Sequence, residues 1–320
     1  MTTDRLVAYV TDPGYMLPTL VSACQLADAH PKRDFDIAIF TVEVDAVLLS
    51  RIETEFAAYR FAFIAIDSAS YMPSGSLYFR EGHVPRAALG RLVLSQYIPA
   101  QYEHIVYIDG DTQICGDLSA LIDFDVPHGH IGAVSETFFL ERPSADRSRY
   151  LAAIGLERPA DYFNSGVLAF RNSTWKALGR EALDFYLANP TVCEFHDQSA
   201  LNAVCAGRRV SLPPAYNFHT GYAELFLTGG SYPRIVHFTG REKPWNYQAW
   251  PWRPRFAQPY RRFKADHPTL NLSLDMRFSP RAKFAVRSLL KLAKYRRQHA
   301  DLARRRRLFR DYLRDTAFPF

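Results

Sequence analysis

Glu103-His104-Ile105-Val106-Tyr107-Ile108-Asp109-Gly110-Asp111-Thr112 sets a short apolar run directly before two carboxylates separated by a glycine. Residues 105–108 have the composition of a buried strand in a sheet covered on both faces. Side chains alternate along an extended chain. Asp109 and Asp111 are therefore expected to converge on one hard cation, with oxygen ligands that suit Mg²⁺ or Mn²⁺. Gly110 would let the backbone turn and a bulky ligand approach closely. In open α/β sheets ligands bind beyond the carboxyl ends of the strands, where these aspartates would lie. Asp-Gly is also an ordinary turn pair, so the reading needs support from the rest of the chain.

Working outward, strand-like and helix-like stretches alternate. Residues 6–10 read as a strand stopped by Thr11-Asp12-Pro13-Gly14, and residues 15–29 carry apolar side chains at helical spacing. Residues 36–41 and 61–66 read as strands, and residues 46–59 and 85–97 as helices. After the aspartates come a strand at 131–135, a mobile or helical insertion at 142–154 and a buried strand preceded by Asn164-Ser165-Gly166. Helices from 174 and from about 195 follow, then a strand at 235–238. This alternation predicts an α/β fold, a mostly parallel central sheet with helices on both faces. The turn after the first strand lacks G-x-G-x-x-G, which argues against a dinucleotide cofactor.

Composition narrows the class. The 320 residues are 48% hydrophobic and 22% charged, as in an ordinary globular protein. No run of about 18 apolar residues suggests a membrane-spanning helix, and the N-terminus is too little cationic for a secretory signal. The four cysteines form no C-x-x-C pair and are expected as free thiols in a reducing cytosol. The net charge of +6 is unevenly held. Residues 275–320 carry fourteen Lys/Arg against four Asp, a net +10, which leaves −4 on residues 1–274. The main domain therefore lacks the basicity of a general nucleic-acid-binding surface. The expected division is a catalytic domain at 1–274 and a basic, amphipathic, helical tail at 275–320 that lies on anionic membranes. Donor hydrolysis would survive removal of such a tail.

Several stretches occur together and in order: Asp12-Pro13-Gly14-Tyr15, Arg91, Tyr107-Ile108-Asp109-Gly110-Asp111, Phe163-Asn164-Ser165-Gly166-Val167, His196-Asp197-Gln198 with Leu201-Asn202, and His237-Phe238-Thr239-Gly240 with Lys243-Pro244-Trp245. The set resembles the retaining glycosyltransferases of family 8, which contains bacterial lipopolysaccharide galactosyltransferases and glycogenin. The resemblance reaches to about residue 255 and implies a Rossmann-like GT-A fold. It also implies a metal-dependent hexosyltransferase that uses a UDP-sugar and a saccharide acceptor, here of a lipopolysaccharide or other cell-surface glycan.

The roles below are those the resemblance implies. Asp109, Asp111 and His237 would hold Mn²⁺ or Mg²⁺. Asp12 and Tyr15 would hold the uracil and ribose. Lys243, with close backbone approach at Gly240, would meet the diphosphate, beside Asp109 and Gly110. Arg91, Asn164, Asp197 and Gln198 would bind the donor sugar, with Asp197 and Gln198 at the reacting centre. An amide is a poor nucleophile, so Gln198 fits a stabiliser of same-face attack better than a covalent intermediate. Ser199 stands where many relatives have a second acid, which points the same way. Residues 136–149 and 245–252 are expected to border the acceptor. The expected place is the cytoplasmic face of the cell membrane, with nucleic acid an unlikely partner. The competing reading is a nucleotide-binding or nucleic-acid-associated protein that uses the basic arm.

Overall fold

The computed structural model describes residues 3–72, 86–225, 233–246, 251–252, 254–272, 274, 281–297 and 299–320. In chain order the elements are β1 (Arg5–Thr11), α1 (Met16–Ala29), β2 (Asp36–Val42), α2 (Ala46–Glu55), β3 (Ala62–Ile66), β4 (His104–Ile108), β5 (Thr112–Ile114), α3 (Ser119–Ile122), β6 (Ile131–Ser135), α4 (Ala145–Ala153), β7 (Phe163–Arg171), α5 (Asn172–Ala188), α6 (Asp197–Val204), β8 (Arg209–Ser211), β9 (Phe218–His219), α7 (Thr220–Ala223), β10 (Ile235–His237), α8 (Gln258–Asp266), α9 (Arg281–Arg297) and α10 (His299–Asp315).

Seven strands form one sheet in the order β3-β2-β1-β4-β7-β6-β8. The pairs β1/β2, β1/β4, β2/β3 and β6/β8 are parallel, and β7 runs antiparallel to both β4 and β6. The period-2 pattern of the buried strands divides them between two cores. Val7 and Tyr9 of β1, with Val106 and Ile108 of β4, join one cluster; Leu6, Ala8, Ile105 and Tyr107 join the other. The mostly parallel sheet covered on both faces is thus the one the alternation predicts. β1 and β4 are neighbours, while β2 lies on the far side of β1. Their carboxyl ends therefore open the crevice where doubly wound sheets bind ligands.

A second sheet of three strands, β5-β10-β9, completes that crevice. β10 pairs antiparallel with β5, with His237 opposite Thr112, and parallel with β9, with His237 opposite His219. This register carries His237 to the aspartates across more than a hundred residues of chain.

Local differences from the sequence expectations have physical reasons. Residues 86–96 form a long 3₁₀ segment (Arg86–Gln96) rather than an α-helix; residue 85 lies outside the described residues. Trp175 Nε1 of α5 donates to the Arg91 carbonyl at 2.8 Å, and α5 comes so close that a Cβ on Gly179 would lie 2.2 Å from the Leu92 oxygen. The helix expected over 46–59 ends at Glu55 and closes in a 3₁₀ turn, Ala57–Tyr59, that stops with Arg60 in the left-handed region. Asn164, Ser165 and Gly166 lie inside β7, not ahead of it. β6 pairs Ala133 with Leu168 and then Val134 with Asn164, so residues 165–167 bow away from β6 in a bulge.

The basic C-terminal segment divides in two. α10 is packed on the α/β domain. Phe309 is 3% exposed in the core beside Tyr222, with ring centroids 5.1 Å apart, and Tyr312 lies 4.6 Å from Phe139. Arg304 donates to the carbonyls of Leu140 (2.8 Å) and Glu141 (3.3 Å), and Arg306 to that of Leu225 (2.6 Å). α9 instead exposes Val286, Leu289 and Leu290. Residues 275–280, including Phe278, lie outside the described residues.

This packing does not fit a segment removable without consequence for the domain. Phe309→Ala should cost about 3–5 kcal/mol, the usual loss for a buried phenylalanine, seen as a lower urea midpoint of the whole protein. An unchanged midpoint would mean that α10 is not part of the core.

Candidate active site

The crevice collects the motif residues around three lone-pair atoms. Asp109 and Asp111 flank the connection from β4 to β5, which turns at Gly110. Their carboxylates converge across this turn, not along one extended strand as alternation implies. A Cβ on Gly110 would lie 2.1 Å from Thr19 Oγ1 of α1, so tight packing of the helix demands the glycine. His237 Nε2 lies 3.2 Å from Asp111 Oδ1 and 3.7 Å from Asp109 Oδ2. One ligand atom from each of the three residues falls within 4.8 Å of the others. Gly166 makes the approach possible, since a Cβ there would meet the His237 ring at 2.1 Å and Asp109 Oδ2 at 2.9 Å.

The other polar atoms of these side chains are held by donors or acceptors pointing elsewhere. Asp109 Oδ1 accepts from the Tyr107 hydroxyl at 2.6 Å and from Arg91 at 2.9 Å. Asp111 Oδ2 accepts from Lys243 Nζ at 2.5 Å. The His237 tautomer follows from a chain of amides. Gly166 N–H donates to Asn164 Oδ1 (3.0 Å), and Asn164 Nδ2 donates to Glu136 (3.0 Å). Asn217 Nδ2 then donates to Asn164 Oδ1 (2.8 Å), which turns Asn217 Oδ1 toward His237 Nδ1 at 2.9 Å. His237 must donate from Nδ1, and its Nε2 lone pair faces the aspartates. Two carboxylate oxygens and an imidazole lone pair, converging, form a donor set that fits a divalent cation.

Arg91 ties this centre to Asp197 and to the Ser165 carbonyl. Its guanidinium is 5% exposed, reaches Asp109, lies 3.2 Å from Asp197 Oδ2 and donates to the Ser165 carbonyl at 2.7 Å. Its Nε–H is directed at the Ala88 carbonyl (3.0 Å), so the Asp197 contact is one of charge rather than a hydrogen bond. Burial disfavours the charge on Arg91, but Asp109 and Asp197 raise its pKa further still. Burial pushes Asp197 up to about 6, against the pull of Arg91. Burial also opposes ionisation of Asp111, yet Lys243 holds it well below the usual carboxylate range.

Gln198, on the first turn of α6, accepts from Ser165 N–H at 3.1 Å and donates to the Tyr162 hydroxyl at 3.3 Å, so its amide orientation is set. His196, just before this helix, has φ 51° and ψ −125°, a conformation that L residues adopt at a cost. Asp12 Oδ1 accepts from Tyr15 N–H at 2.9 Å. Burial raises the Tyr15 pKa, as do the charges of Asp111, Asp109 and Asp12. Gly240 turns in the left-handed region (φ 84°) three residues after His237. Direct contacts thus join Asp109, Asp111, His237, Arg91, Asp197 and Lys243, with Asn164 reaching His237 through Asn217 and Gln198 reaching Arg91 through Ser165. Residues 247–250 of the expected acceptor border lie outside the described residues.

Three supporting residues are given no supporting role by the sequence reading: Asn217, which it does not name, Glu136, named only as the start of the stretch expected to border the acceptor, and Tyr107, quoted only within its motif. Tyr107 is two residues before Asp109, so the alternation rule places it on the same face. Asn217 and Glu136 carry no local signal and join the site only through tertiary contacts.

A model of "Glycosyl transferase family 8" matches residues 6–249. General stress protein A of Bacillus subtilis (strain 168) is 28% identical over 202 residues, 58% of this chain and 66% of that protein. A lipopolysaccharide 1,2-glucosyltransferase of Escherichia coli (strain K12) is 25% identical over 262 residues, 75% of this chain and 72% of the enzyme. The structure of the galactosyltransferase LgtC with donor and acceptor sugar analogs superposes with a TM-score of 0.66 over 87% of this chain and 98% of that one, at 19% identity.

The raised pKa of Asp197 makes a signed prediction. The folded protein keeps this proton up to about pH 6, whereas an unfolded chain releases it near 3.8. Ionisation within the fold therefore costs stability that accumulates as pH rises through that window. Asp197→Asn removes the cost, so the variant should gain about 2–3 kcal/mol on the wild type between about pH 4 and about pH 7. Urea unfolding at each pH measures the difference, and a pH-independent difference would contradict it.

Proposed function

The chain belongs to glycosyltransferase family 8, and from that premise we propose a metal-dependent, retaining hexosyltransferase that moves a sugar from a UDP-sugar to a saccharide acceptor. The observation that carries the reading is the convergence of Asp109 Oδ2, Asp111 Oδ1 and His237 Nε2, with every other polar atom of those side chains engaged elsewhere. A divalent cation held by these three would neutralise the negative charge that collects on departing UDP. Mn²⁺ suits a set of two carboxylates and one imidazole better than Mg²⁺, which favours oxygen alone.

The chain's own groups do the rest. Asp12 and Tyr15 hold the nucleoside at the end of β1. Gly240 lets backbone approach the diphosphate, where Lys243 adds charge. Arg91 keeps Asp109 and Asp197 oriented toward the donor sugar, and Asn164 borders it. Gln198, clamped by Ser165 and Tyr162, presents an amide to the reacting carbon. A poor nucleophile in that place supports same-face attack, in which the leaving phosphate accepts the acceptor's proton and the anomeric configuration is retained. Residues 136–149 border the acceptor. The similarity to lipopolysaccharide glycosyltransferases of enteric bacteria supports an acceptor of that class, a growing lipid-linked saccharide at the cytoplasmic face of the membrane.

The membrane part of the reading rests on α9. No helix among the described residues is long and apolar enough to cross a bilayer. α9 presents Val286, Leu289 and Leu290, 57–68% exposed, in one stripe beside Lys283. An apolar stripe flanked by positive charge suits an anionic bilayer surface. The competing nucleic-acid arm loses support because Arg304 and Arg306 of α10 donate to carbonyls within the protein.

Two experiments test these statements. In a panel of UDP-sugars, one donor should be hydrolysed or transferred in a Mn²⁺-dependent way, with the product keeping the donor's anomeric configuration by NMR. Asp111→Asn should lower that rate by roughly a thousandfold, as removal of a charge at a metal-assisted site does; metal-independent turnover or inversion would refute the reading. For the membrane, Leu289→Ser with Leu290→Ser should abolish co-sedimentation with anionic vesicles while leaving hydrolysis intact. Retained sedimentation, or preferential competition by nucleic acid, would remove α9 as the anchor.

A further inference from the structure

Lys243 lies inside the crevice, 7% exposed, with Nζ 2.5 Å from Asp111 Oδ2 and 2.5 Å from the Phe238 carbonyl. Its place is fixed from several sides. Its backbone N–H donates to Asn246 Oδ1 at 3.0 Å, Pro244 follows, and the buried Trp245 ring packs edge-on against Tyr260 at 4.7 Å. One carboxylate thus serves two positive centres. Oδ2 of Asp111 is held by the ammonium, and Oδ1 points with Asp109 Oδ2 and His237 Nε2 into the cation cradle.

We propose that Lys243 is the coupling residue of this site: it competes with a divalent cation for the charge of Asp111, so that tight cation binding requires a nucleoside diphosphate. The inference rests on the cation reading above and deepens it. A buried ammonium one carboxylate away from a divalent ion repels it, because little solvent screens the pair. Asp109 is already neutralised in part by Arg91 and Tyr107, so the cradle alone holds little uncompensated negative charge. A diphosphate supplies that charge and offers Lys243 a second anionic partner. Binding linkage is reciprocal, so the factor by which the diphosphate tightens the cation is the factor by which the cation tightens the diphosphate. Cation and donor should therefore load together. The lysine of the K-P-W stretch gains a role that a simple phosphate contact does not describe.

The test is direct titration of Mn²⁺ into the full chain, by calorimetry or by loss of the free-ion EPR signal, with and without UDP. Wild type should bind Mn²⁺ weakly alone and at least about tenfold more tightly with saturating UDP. Lys243→Met should bind Mn²⁺ alone about tenfold more tightly than wild type and lose most of the effect of UDP. Lys243→Gln, which keeps a donor toward Phe238, guards against misfolding of the first variant and should behave the same way. If the lysine variants bind Mn²⁺ no more tightly than wild type, or if UDP tightens Mn²⁺ equally in all three, the coupling role is wrong while the cation site stands. If wild type binds no Mn²⁺ even with UDP, both the coupling and the cation reading fall.

Discussion

Asp109 and Asp111 converge, and Asp197 faces Asp109 across the buried Arg91 guanidinium, so this concentration of negative charge is the constraint the crevice must satisfy. Carboxylates in such surroundings persist as anions only with fixed positive charge and hydrogen-bond donors beside them. Arg91 supplies the first, bridging Asp109 and Asp197 through one guanidinium, and Lys243 the second, at Asp111. Much of the architecture serves to hold those two cations. α5 packs through Gly179 and Trp175 onto the 3₁₀ segment that carries Arg91, and the second sheet brings the chain from His237 to Lys243 against β5. Breaking either pair leaves a buried charge without its counterion, which is costlier than never having built it.

The parallel core was legible from periodicity because β1, β2 and β4 are buried on both faces and read as unbroken apolar runs. The candidate site was legible where its members cluster in short motifs, as at residues 107–111, 163–167, 196–198 and 237–245. Geometry within it was less so. The two aspartates converge through a turn rather than by strand alternation, and Gly110 is demanded by close packing on Thr19. Arg91 was placed on an α-helix because its neighbours are apolar at mixed spacing, yet contact with α5 draws that stretch into a 3₁₀ form. Asn217 and Glu136 were invisible, since an amide and a carboxylate in separate segments acquire meaning only when β9, β6 and β7 meet.

Charge counting separated the C-terminal segment correctly as a basic object but said nothing of where its arginines point. The run at residues 304–307 looks like a solvated patch, whereas Arg304 and Arg306 satisfy carbonyls at the ends of neighbouring segments. Through Tyr312, whose hydroxyl lies 3.0 Å from Ser135 Oγ, α10 also meets the end of β6 one residue before Glu136. The helix α10 therefore touches the chain one residue away from the amide network that orients His237.

Gly166 has a further consequence, for how such a protein can diversify. Its missing side chain is the gap into which the His237 ring fits, and Asp109 shares the same gap. Even an alanine there would press on the His237 ring and on Asp109 Oδ2. The cradle therefore depends on glycine at this position. Room for novelty in sugar choice lies in segments around it such as α4, whose residues take no part in the contacts at Asp109, Asp111 and His237. Specificity can drift there over evolutionary time while the chemistry stays the same.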